Sequence, residues 1–294
     1  MDENQWLSDR FEEQRTRLRA VAYRMLGSLT EADDAVQDSW VRVSRAGAGE
    51  VENLGGWLTT IVARVCLNML RARAVRGEES LQVHLPDPVI SREGDLGPEE
   101  EALLADSVGL ALQVVLDTLT PAERLAFVLH DMFELPFDEI APMVGRSPAA
   151  ARQLASRARR RVRGAEIPDS DIARQRTVVD AFFLAARRGD FDALVALLHP
   201  DVILRVDSGP SRPAASTIVR GAAAVARQAR LGANPAAVLL PALINGAAGV
   251  VITLDGRPHG VMAFTVVNDQ VVELDIIADP ERISRVASAV LSGI

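Results

Sequence analysis

The chain has 294 residues, 48% of them hydrophobic and 24% charged, a composition typical of a soluble protein with two or three domains. Its single cysteine, Cys66, excludes an intramolecular disulfide and fits a reducing cytoplasm. The formal net charge of -8 does not exclude a nucleic-acid partner, because residues 78–103 alone hold eight acidic residues against one Arg, whereas residues 152–163 are rich in Arg.

A membrane span, a metal site and a cofactor are not expected. Residues 231–254 carry no charged side chain, but Pro235, Pro241 and Gly246 interrupt them, so they predict strands and turns instead of a transmembrane helix. The first residues are acidic and polar, unlike a secretory leader. One cysteine and four widely scattered histidines predict no metal cluster.

Two amphipathic helices are predicted in the first 46 residues. Apolar side chains recur at helical spacing from Phe11 to Leu26, Gly27 ends this pattern, and Thr30 is predicted to cap the next helix. The second helix buries Ala35 and Val36 and leaves an acid-rich outer face, which includes Asp34, Gln37, Asp38 and Arg42. This face is either an ordinary solvated surface or a docking surface for a basic protein partner.

A third helix is predicted from Trp57 to about Arg76, after a loop rich in Gly and Ala. It has a broad apolar surface and a basic polar edge without acidic residues, which includes Arg64, Asn68, Arg71, Arg73 and Arg76. Such an edge suits DNA phosphates. It is weak evidence alone, because Arg near a helix end also complements the helix dipole.

Residues 120–163 predict a helix-turn-helix. Thr120, Pro121 and Glu123 form a capping box that begins a helix, and apolar residues recur at helical spacing from Phe137 to Val144. Gly145 then ends the pattern, and Ser147 precedes another helix with Pro148 in its first turn. Two short helices joined by a tight turn containing Gly are typical of this DNA-binding motif.

The last helix of this motif carries Arg and Gln on its exposed face. Ala151, Leu154, Ala158 and Val162 form the packed stripe, and the other faces hold Arg152, Gln153, Ser156, Arg159, Arg160 and Arg163. Arg and Gln suit guanine and adenine edges in the major groove. A solvated Arg-rich helix is the alternative, but no acidic residue within the helix neutralises it, so DNA binding is favoured.

The final part of the chain predicts two helices followed by an antiparallel meander. The helices cover about residues 172–188 and 191–198, a short helix follows near 222–230, and four apolar segments cover 237–244, 249–254, 261–267 and 271–277. Asn245-Gly246, Asp255-Gly256 and Asn268-Asp269 separate these segments as hairpin turns. This order indicates an α+β domain with a curved sheet around its helices.

The first 164 residues resemble the extracytoplasmic-function sigma factors of bacterial RNA polymerase. The likeness covers residues 9–164 and rests on two blocks in order, A-Y-R-M-L-G-S-L-T-E-A-D-D-A-V-Q-D-S-W with G-G-W-L-T-T-I-V-A-R-V-C-L-N-M-L, and the helix-turn-helix. It implies sigma domain 2 in residues 1–77, an acidic linker in 78–103 and sigma domain 4 in 104–164. Pro136 departs from the Ser or Thr that often caps the first helix of the pair.

The resemblance implies three sets of contact residues. Core RNA polymerase would be bound by Asp33, Asp34, Gln37, Asp38 and Trp40. The −10 promoter element would be opened and bound by Trp57, Thr60, Arg64, Asn68 and Arg71. The −35 element would be bound by Arg152, Gln153, Ser156, Arg157 and Arg160. Unstacked bases would be captured near the loop of residues 46–57.

Residues 165–294 resemble the SnoaL-like branch of the cone-shaped NTF2 and ketosteroid-isomerase fold. Sigma factors of the sigma-J-like class carry such a domain behind sigma domain 4, with short motifs that match loosely here: Asp207-Ser208-Gly209-Pro210, Ala278-Asp279-Pro280-Glu281-Arg282-Ile283 and, in the linker, Leu85-Pro86-Asp87-Pro88. The class implies a regulatory role for Asp207, Gly209, Asp279 and Pro280. The linker itself is either a solvated tether or a segment that enters the polymerase.

The expected function is therefore that of a cytoplasmic, non-enzymatic sigma factor with three kinds of partner. These are core polymerase, promoter DNA, and its own C-terminal domain, which would regulate it by intramolecular contact. A small-molecule ligand of the C-terminal domain remains open. One alternative makes that domain an isomerase or cyclase that uses Asp207, His199, His259 or Asp275 as a base. Another, a conventional operator-binding regulator, leaves the acidic face unexplained.

Overall fold

A computed structural model describes residues 3–46, 53–75, 83–92, 109–164 and 168–287. The chain divides into two compact units. The first comprises Met1–Glu79, Glu101–Asp106 and Gln113–Gly164, and the second comprises Ser80–Glu100, Ser107–Leu112 and Ala165–Ile294. Within the described ranges, none of the helices combines the length and apolar character that a bilayer crossing requires.

Three helices form the first part of unit one: α1 (Glu3–Leu26), α2 (Leu29–Ala46) and α3 (Leu54–Val75). Gly27 ends α1 with a φ of 73°, as its sequence position predicts. The cap of α2 differs from the prediction, because Ser28 and not Thr30 precedes the helix, and Ser28 Oγ accepts from the backbone N–H of Glu31. Thr30 already lies in the first turn and is exposed.

Helix α3 begins three residues earlier than Trp57. Asn53 Oδ1 accepts from the backbone N–H of Gly56 at 3.0 Å, so an Asn cap draws both Gly55 and Gly56 into the first turn. The buried face of α3 is continuous from Leu58 to Leu70 and packs on α1 and α2. The predicted base-capturing loop largely precedes this cap, and its residues 47–52 lie outside the described residues.

The second part of unit one contains the helix-turn-helix. The elements of this region are α4 (Gly109–Asp117), whose first four residues belong to the second unit, α5 (Pro121–Phe127), a π-helical turn (Val128–Met132), α6 (Phe137–Val144) and α7 (Pro148–Val162). Thr120 and Glu123 form both hydrogen bonds of the predicted capping box, and Gly145 adopts a left-handed φ of 65° between α6 and α7. Pro136 precedes α6 without a side-chain cap, while Ser147 Oγ caps α7.

The second unit combines helices with a mixed sheet. Its elements are β1 (Ile90–Ser91), α8 (Ile172–Arg188), α9 (Phe191–Leu197), β2 (Leu198–Asp207), β3 (Thr217–Arg220), α10 (Ala222–Gly232), β4 (Val238–Ile244), β5 (Ala247–Leu254), β6 (Arg257–Val267), β7 (Gln270–Ile277) and α11 (Pro280–Val286). In the described residues the sheet order is β1-β4-β5-β6-β7-β2-β3.

The predicted meander is present, with two additions. Strands β4 to β7 pair antiparallel through tight turns, and Asn245, Asp255, Asn268 and Asp269 all adopt the positive φ that such turns need. The first addition is the strand pair β2 and β3: β2 pairs in parallel with β7 after a long crossover, and β3 pairs antiparallel with β2 at the sheet edge. The second is β1, a piece of the predicted linker that pairs with β4 at the sheet edge.

The core of the second unit lies between the helices and one face of the sheet. Phe182 and Phe183 of α8 meet Phe264 of β6 edge to face, with ring centroids 5.5 and 5.7 Å from that of Phe264. Leu204 of β2, Val250 of β5 and Leu274 of β7 belong to the same cluster. The helices predicted from periodicity therefore pack where the sheet curves around them.

Candidate functional sites

Helix α2 exposes the acid-rich face that the sequence predicts. Asp33, Asp34, Gln37 and Asp38 are all exposed. Asp33 is held in place by Arg19, whose Nε lies 2.6 Å from Asp33 Oδ1. Trp40 differs from these four because it is half-buried, with its ring centroid 5.1 Å from that of Phe11. The face is therefore an exposed, acid-rich surface bordered by a packed aromatic residue.

Five polar and aromatic residues predicted for the −10 element follow one stripe of α3: Trp57, Thr60, Arg64, Asn68 and Arg71. Their spacings of three, four, four and three residues place them on the same side of a helix. Arg64, Asn68 and Arg71 are exposed, whereas Trp57 and Thr60 are half-buried. The structure thus presents the five residues together, opposite the buried face that holds α3 on its neighbours.

Helix α7 presents its five predicted contact residues to solvent: Arg152, Gln153, Ser156, Arg157 and Arg160. Ala151, Ala155 and Ala158 are fully buried on the opposite side, and their small side chains allow a close approach to α5 and α6. An exposed polar face backed by alanines on the second helix of a helix-turn-helix is the arrangement that enters a major groove.

A three-layer stack positions Arg152. Its guanidinium carbon lies 5.2 Å from the centre of the Phe137 ring, and that ring lies 3.8 Å from the ring of His130. His130 Nδ1 lies 2.9 Å from the carbonyl oxygen of Leu135. The stack restricts the rotamers of Arg152, so less conformational entropy is lost when it binds. Sequence periodicity did not identify His130, because the π-helical turn that orients it interrupts the helical pattern.

Two other arginines of α7 are engaged in ion pairs. Arg159 Nε lies 2.5 Å from Asp131 Oδ1, and Arg161 Nη1 lies 3.2 Å from Glu123 Oε2. The sequence placed Arg159 among the residues that can meet a partner, but it is half-buried against the π-helical turn. Its ion pair attaches α7 to the π-helical turn that follows α5.

The three-helix bundle and the helix-turn-helix contact each other within unit one. Arg124 Nε donates to the carbonyl oxygen of Arg24 at 2.9 Å, and Gln113 Nε2 donates to that of Tyr23 at 3.3 Å. Gln113 Oε1 and Arg124 Nη2 are buried and have no hydrogen-bond partner among the described residues. Buried polar atoms without partners weaken the contact that contains them.

In the second unit, Arg282 of α11 fastens part of the predicted linker to the sheet. Its guanidinium donates to Asp87 Oδ1 at 2.8 Å, to Asp207 Oδ2 at 2.7 Å and to the carbonyl oxygen of Leu85 at 2.6 Å. Asp207 Oδ2 also accepts from the backbone N–H of Leu85 at 2.9 Å. We call these four residues the linker clasp. Residues 85–91 are all buried, either at the linker clasp or where β1 pairs with β4.

Three further residues predicted to be regulatory support the linker clasp. Asp207 Oδ1 accepts from the backbone N–H of Gly209, and Asp279 Oδ1 caps the helix that carries Arg282. Pro280 occupies the first position of that helix. The loosely matched motifs therefore meet at one place. Arg282 lies in the tail motif, but the sequence assigned it no role, because its contact with Asp87 spans 195 residues of sequence.

The described part of the predicted linker, residues 83–92, is thus packed into a folded unit and is not a solvated tether. Residues 83–92 belong to the second unit, where Asn245 Oδ1 accepts from the backbone N–H of Val89 and Ile90 pairs with Ile244. The proline residues that exclude a helix also suit an edge strand and an extended segment. Residues 78–82 and 93–103 lie outside the described residues.

Gly209 offers a test of the packing around the linker clasp. It has a φ of 74°, and an added Cβ would overlap the carboxyl group of Asp279. Gly256 has the same φ of 74° but open space around it. We expect Gly256→Ala to lower the free energy of unfolding by about 1 kcal/mol, and Gly209→Ala by at least about 2 kcal/mol, because only the second adds a steric overlap to the backbone strain.

Chemical denaturation of the two variants measures this difference. Equal losses at Gly209 and Gly256 would contradict the close approach of Asp279.

The four residues considered as catalytic bases do not meet in a common site. A cavity of about 350 Å³ lies in the second unit, and among the four only His259 lines it. Asp207 belongs to the linker clasp. His199 Nδ1 accepts from the backbone N–H of Asp201 at the start of β2. Asp275 alternates along β7 with Leu274 and Ile276, which line the cavity, so its side chain points to the other face of the sheet.

Asp275 lies in a buried charge cluster on that other face. Arg205 bridges it and Glu273, with Nη1 lying 2.9 Å from Asp275 Oδ1 and Nη2 lying 3.0 Å from Glu273 Oε1. Burial raises the pKa of Asp275 from its usual 3.8 to about 6, an effect that Arg205 opposes and Glu273 reinforces.

This pKa predicts a pH-dependent loss of stability. Between about pH 4 and pH 6 the unfolded chain ionises Asp275 while the folded chain keeps it protonated, so the folded state becomes relatively less stable as pH rises. Above about pH 6 both states are ionised and the loss is complete. Asn does not titrate, so Asp275→Asn escapes this loss. We therefore expect the free energy of unfolding of Asp275→Asn, minus that of the unmodified chain, to rise by up to about 3 kcal/mol between pH 4 and pH 6.5.

Urea denaturation across this pH range measures the effect. A stability difference that stays flat would show that burial does not perturb Asp275.

The sequence is similar to known sigma factors over most of its length. Residues 11–76 match the family model Sigma-70 region 2, and residues 109–162 match Sigma-70, region 4. The chain is 37% identical over 286 residues to the ECF RNA polymerase sigma factor SigJ of Mycobacterium tuberculosis, covering 92% of this chain and 91% of that protein. It is 32% identical over 265 residues to the probable ECF sigma factor SigI of that species, covering 88% and 89%.

A solved structure extends this agreement to the fold. The crystal structure of Mycobacterium tuberculosis SigJ aligns with a TM-score of 0.72 at 35% identity, covering 94% of this chain and 98% of that one. The predicted fold class, two helical sigma domains followed by an α+β domain, is confirmed. The chain belongs to the extracytoplasmic-function sigma factors of RNA polymerase, and it carries sigma regions 2 and 4 and a fused C-terminal α+β domain.

Proposed function

We propose that the fused domain regulates this sigma factor by sequestering the connector between its two DNA-binding regions. The linker clasp carries this proposal. Leu85 and Asp87 cannot stay buried against Asp207 and Arg282 and at the same time enter the polymerase interior, where the connector of sigma factors runs. Binding to the fused domain and insertion into the polymerase therefore compete for the same residues.

A second contact restrains the DNA-binding regions themselves. The −10 and −35 elements are about 25 base pairs apart, which is about 85 Å along B-DNA. In unit one, α3 contacts both α5 and α6, so the −10 stripe and the helix-turn-helix are too close to bind both elements at once. Promoter binding thus requires that the contacts of Gln113 and Arg124 open, and their unpartnered buried atoms lower the cost of opening.

Three exposed surfaces of unit one would bind the polymerase and the two promoter elements. Asp33, Asp34, Gln37, Asp38 and Trp40 would bind core polymerase in the cytoplasm through an anionic surface. The stripe from Trp57 to Arg71 would bind the −10 element. Arg152, Gln153, Ser156, Arg157 and Arg160 would bind the −35 element. The exposure of these polar residues on α2, α3 and α7 supports the assignments.

Run-off transcription by the full chain with core polymerase tests the regulatory role. Asp207→Asn removes the buried negative charge that holds Arg282, so we expect the connector to be released and transcription to rise several-fold. Asp201→Asn, an exposed change on the same strand, serves as the matched control and is expected to leave transcription unchanged. Transcription by Asp207→Asn that equals or falls below that of the unmodified chain would refute the proposal, provided that its core binding is retained.

The cavity favours a second role for the fused domain, the binding of a small molecule. Its volume of about 350 Å³ lies within the range of ligand sites. An isomerase or cyclase activity is less favoured, because no Asp or Glu is among the described residues that line the cavity and His259 lies exposed at its rim. We therefore assign the domain a binding role without a catalytic step.

A further inference from the structure

The interior of the cavity in the second unit is apolar on all sides. Helix α8 contributes Phe182 and Phe183, and the strands contribute Leu204, Ile252, Met262, Leu274 and Ile276. Its volume of about 350 Å³ equals that of about a dozen liquid waters, which is also the space for on the order of a dozen non-hydrogen atoms of a ligand. An apolar molecule gains by leaving water for such a lining.

Among the described residues that line the cavity, the polar side chains lie at the rim. Arg187, Gln228, Asn234 and His259 are the polar members among the described lining residues, and all four are exposed. Arg187 is the permanently charged one. Its Nη2 donates to the carbonyl oxygen of Ala237 at 3.4 Å, which holds the guanidinium across the rim from α8 to the start of β4.

The guanidinium of Arg187 can also donate hydrogen bonds to a ligand. Of its five N–H donors, the bond to the carbonyl oxygen of Ala237 uses one. Since the described lining residues include no carboxylate, a negative charge at the rim meets the attraction of Arg187 and no acidic side chain within that lining. A planar guanidinium is suited to a carboxylate, which it can bind through two parallel hydrogen bonds.

From this combination we propose that the fused domain binds an apolar monocarboxylate of about a dozen non-hydrogen atoms. The hydrocarbon part lies between α8 and the sheet, and the carboxylate lies at the rim beside Arg187. Polyols are disfavoured because the interior has no hydrogen-bond donors for them. Cations are disfavoured because they would meet Arg187. This inference deepens the ligand-binding role proposed above and does not depend on the linker clasp.

Isothermal titration calorimetry on the full chain tests the ligand class. Decanoate is the probe, and decan-1-ol and decyltrimethylammonium are its neutral and cationic analogues of similar length. We expect decanoate to bind best. Arg187→Gln is expected to weaken decanoate about tenfold and to leave decan-1-ol unchanged, since only the charged interaction is lost. Arg188→Gln, an exposed change at the next position of α8, is the matched control and is expected to change neither.

The methyl resonance of Met262 locates the bound molecule without any substitution. Met262 lines the cavity, whereas Met143 lies in α6 and serves as the internal reference. Decanoate is expected to shift the Met262 methyl signal and to leave that of Met143 in place.

Three results would overturn the inference. They are the absence of decanoate binding, binding that leaves the Met262 signal unchanged, and equal affinity of decanoate and decan-1-ol with no effect of Arg187→Gln. None of these results depends on transcription, so failure of the ligand class and failure of the regulatory role are distinguishable.

Discussion

Replacing Arg282 with Gln is expected to free residues 85–91 from the second unit and to lower its free energy of unfolding by about 3 kcal/mol. The side chain of Arg282 is only 9% exposed and satisfies two carboxylates and one carbonyl oxygen. Gln is shorter and neutral, so it would remove the buried cation that Asp87 and Asp207 share. Removing one partner of a buried ion pair is strongly destabilising.

Hydrogen–deuterium exchange at individual amides measures this release directly. The backbone N–H of Leu85 donates to Asp207 and that of Val89 donates to Asn245, so both are expected to exchange slowly in the unmodified chain and rapidly in Arg282→Gln. Arg285→Gln, an exposed change one turn along the same helix, is the control and should leave both amides protected. Protection retained in Arg282→Gln would contradict the assigned role of the linker clasp.

Replacing Arg152 with Ala is expected to weaken binding to the cognate −35 element by about 1–3 kcal/mol while core polymerase is still bound. The stack on Phe137 presents the guanidinium of Arg152 to solvent at the start of α7. Truncation removes a donor fork that can bind a guanine edge through two hydrogen bonds. The polymerase-binding surface proposed on α2 is unaffected by this change.

A charge-retaining variant separates base recognition from attraction to phosphates. Arg152→Lys keeps the positive charge and is expected to retain non-specific affinity and its salt dependence while losing preference for the cognate sequence. Fluorescence anisotropy with cognate and scrambled duplexes at several salt concentrations measures both quantities. If Arg152→Ala weakens core binding as much as promoter binding, the −35 assignment is wrong.

Local signals in the sequence predicted most of the secondary structure correctly. The Thr120 capping box, the left-handed Gly145 and the Ser147 cap define the helix-turn-helix in the structure as they do in the sequence. Each depends on residues within a few positions of one another, so no tertiary information is needed to read it. The hairpin turn at Asn245 is of the same kind.

The errors occurred where several local signals competed or where the local signal was weak. Ser28 and Thr30 can both cap a helix, and the structure uses Ser28, which directly follows the left-handed Gly27 at the end of α1. Asn53 began α3 before Trp57 although two Gly residues follow it, because a side-chain cap offsets the entropy that Gly loses in a helix.

The sequence by itself determined the family, the two DNA-binding elements and the order of helices and strands, because these follow from short-range periodicity, caps and turns. Only the tertiary structure decided that residues 83–92 join the fused domain, that Asp87, Asp207 and Arg282 meet, and that Asp275 faces away from the cavity. These features depend on β2 pairing in parallel with β7 and β1 pairing with β4. Such pairings join residues distant in sequence, and no local propensity encodes them.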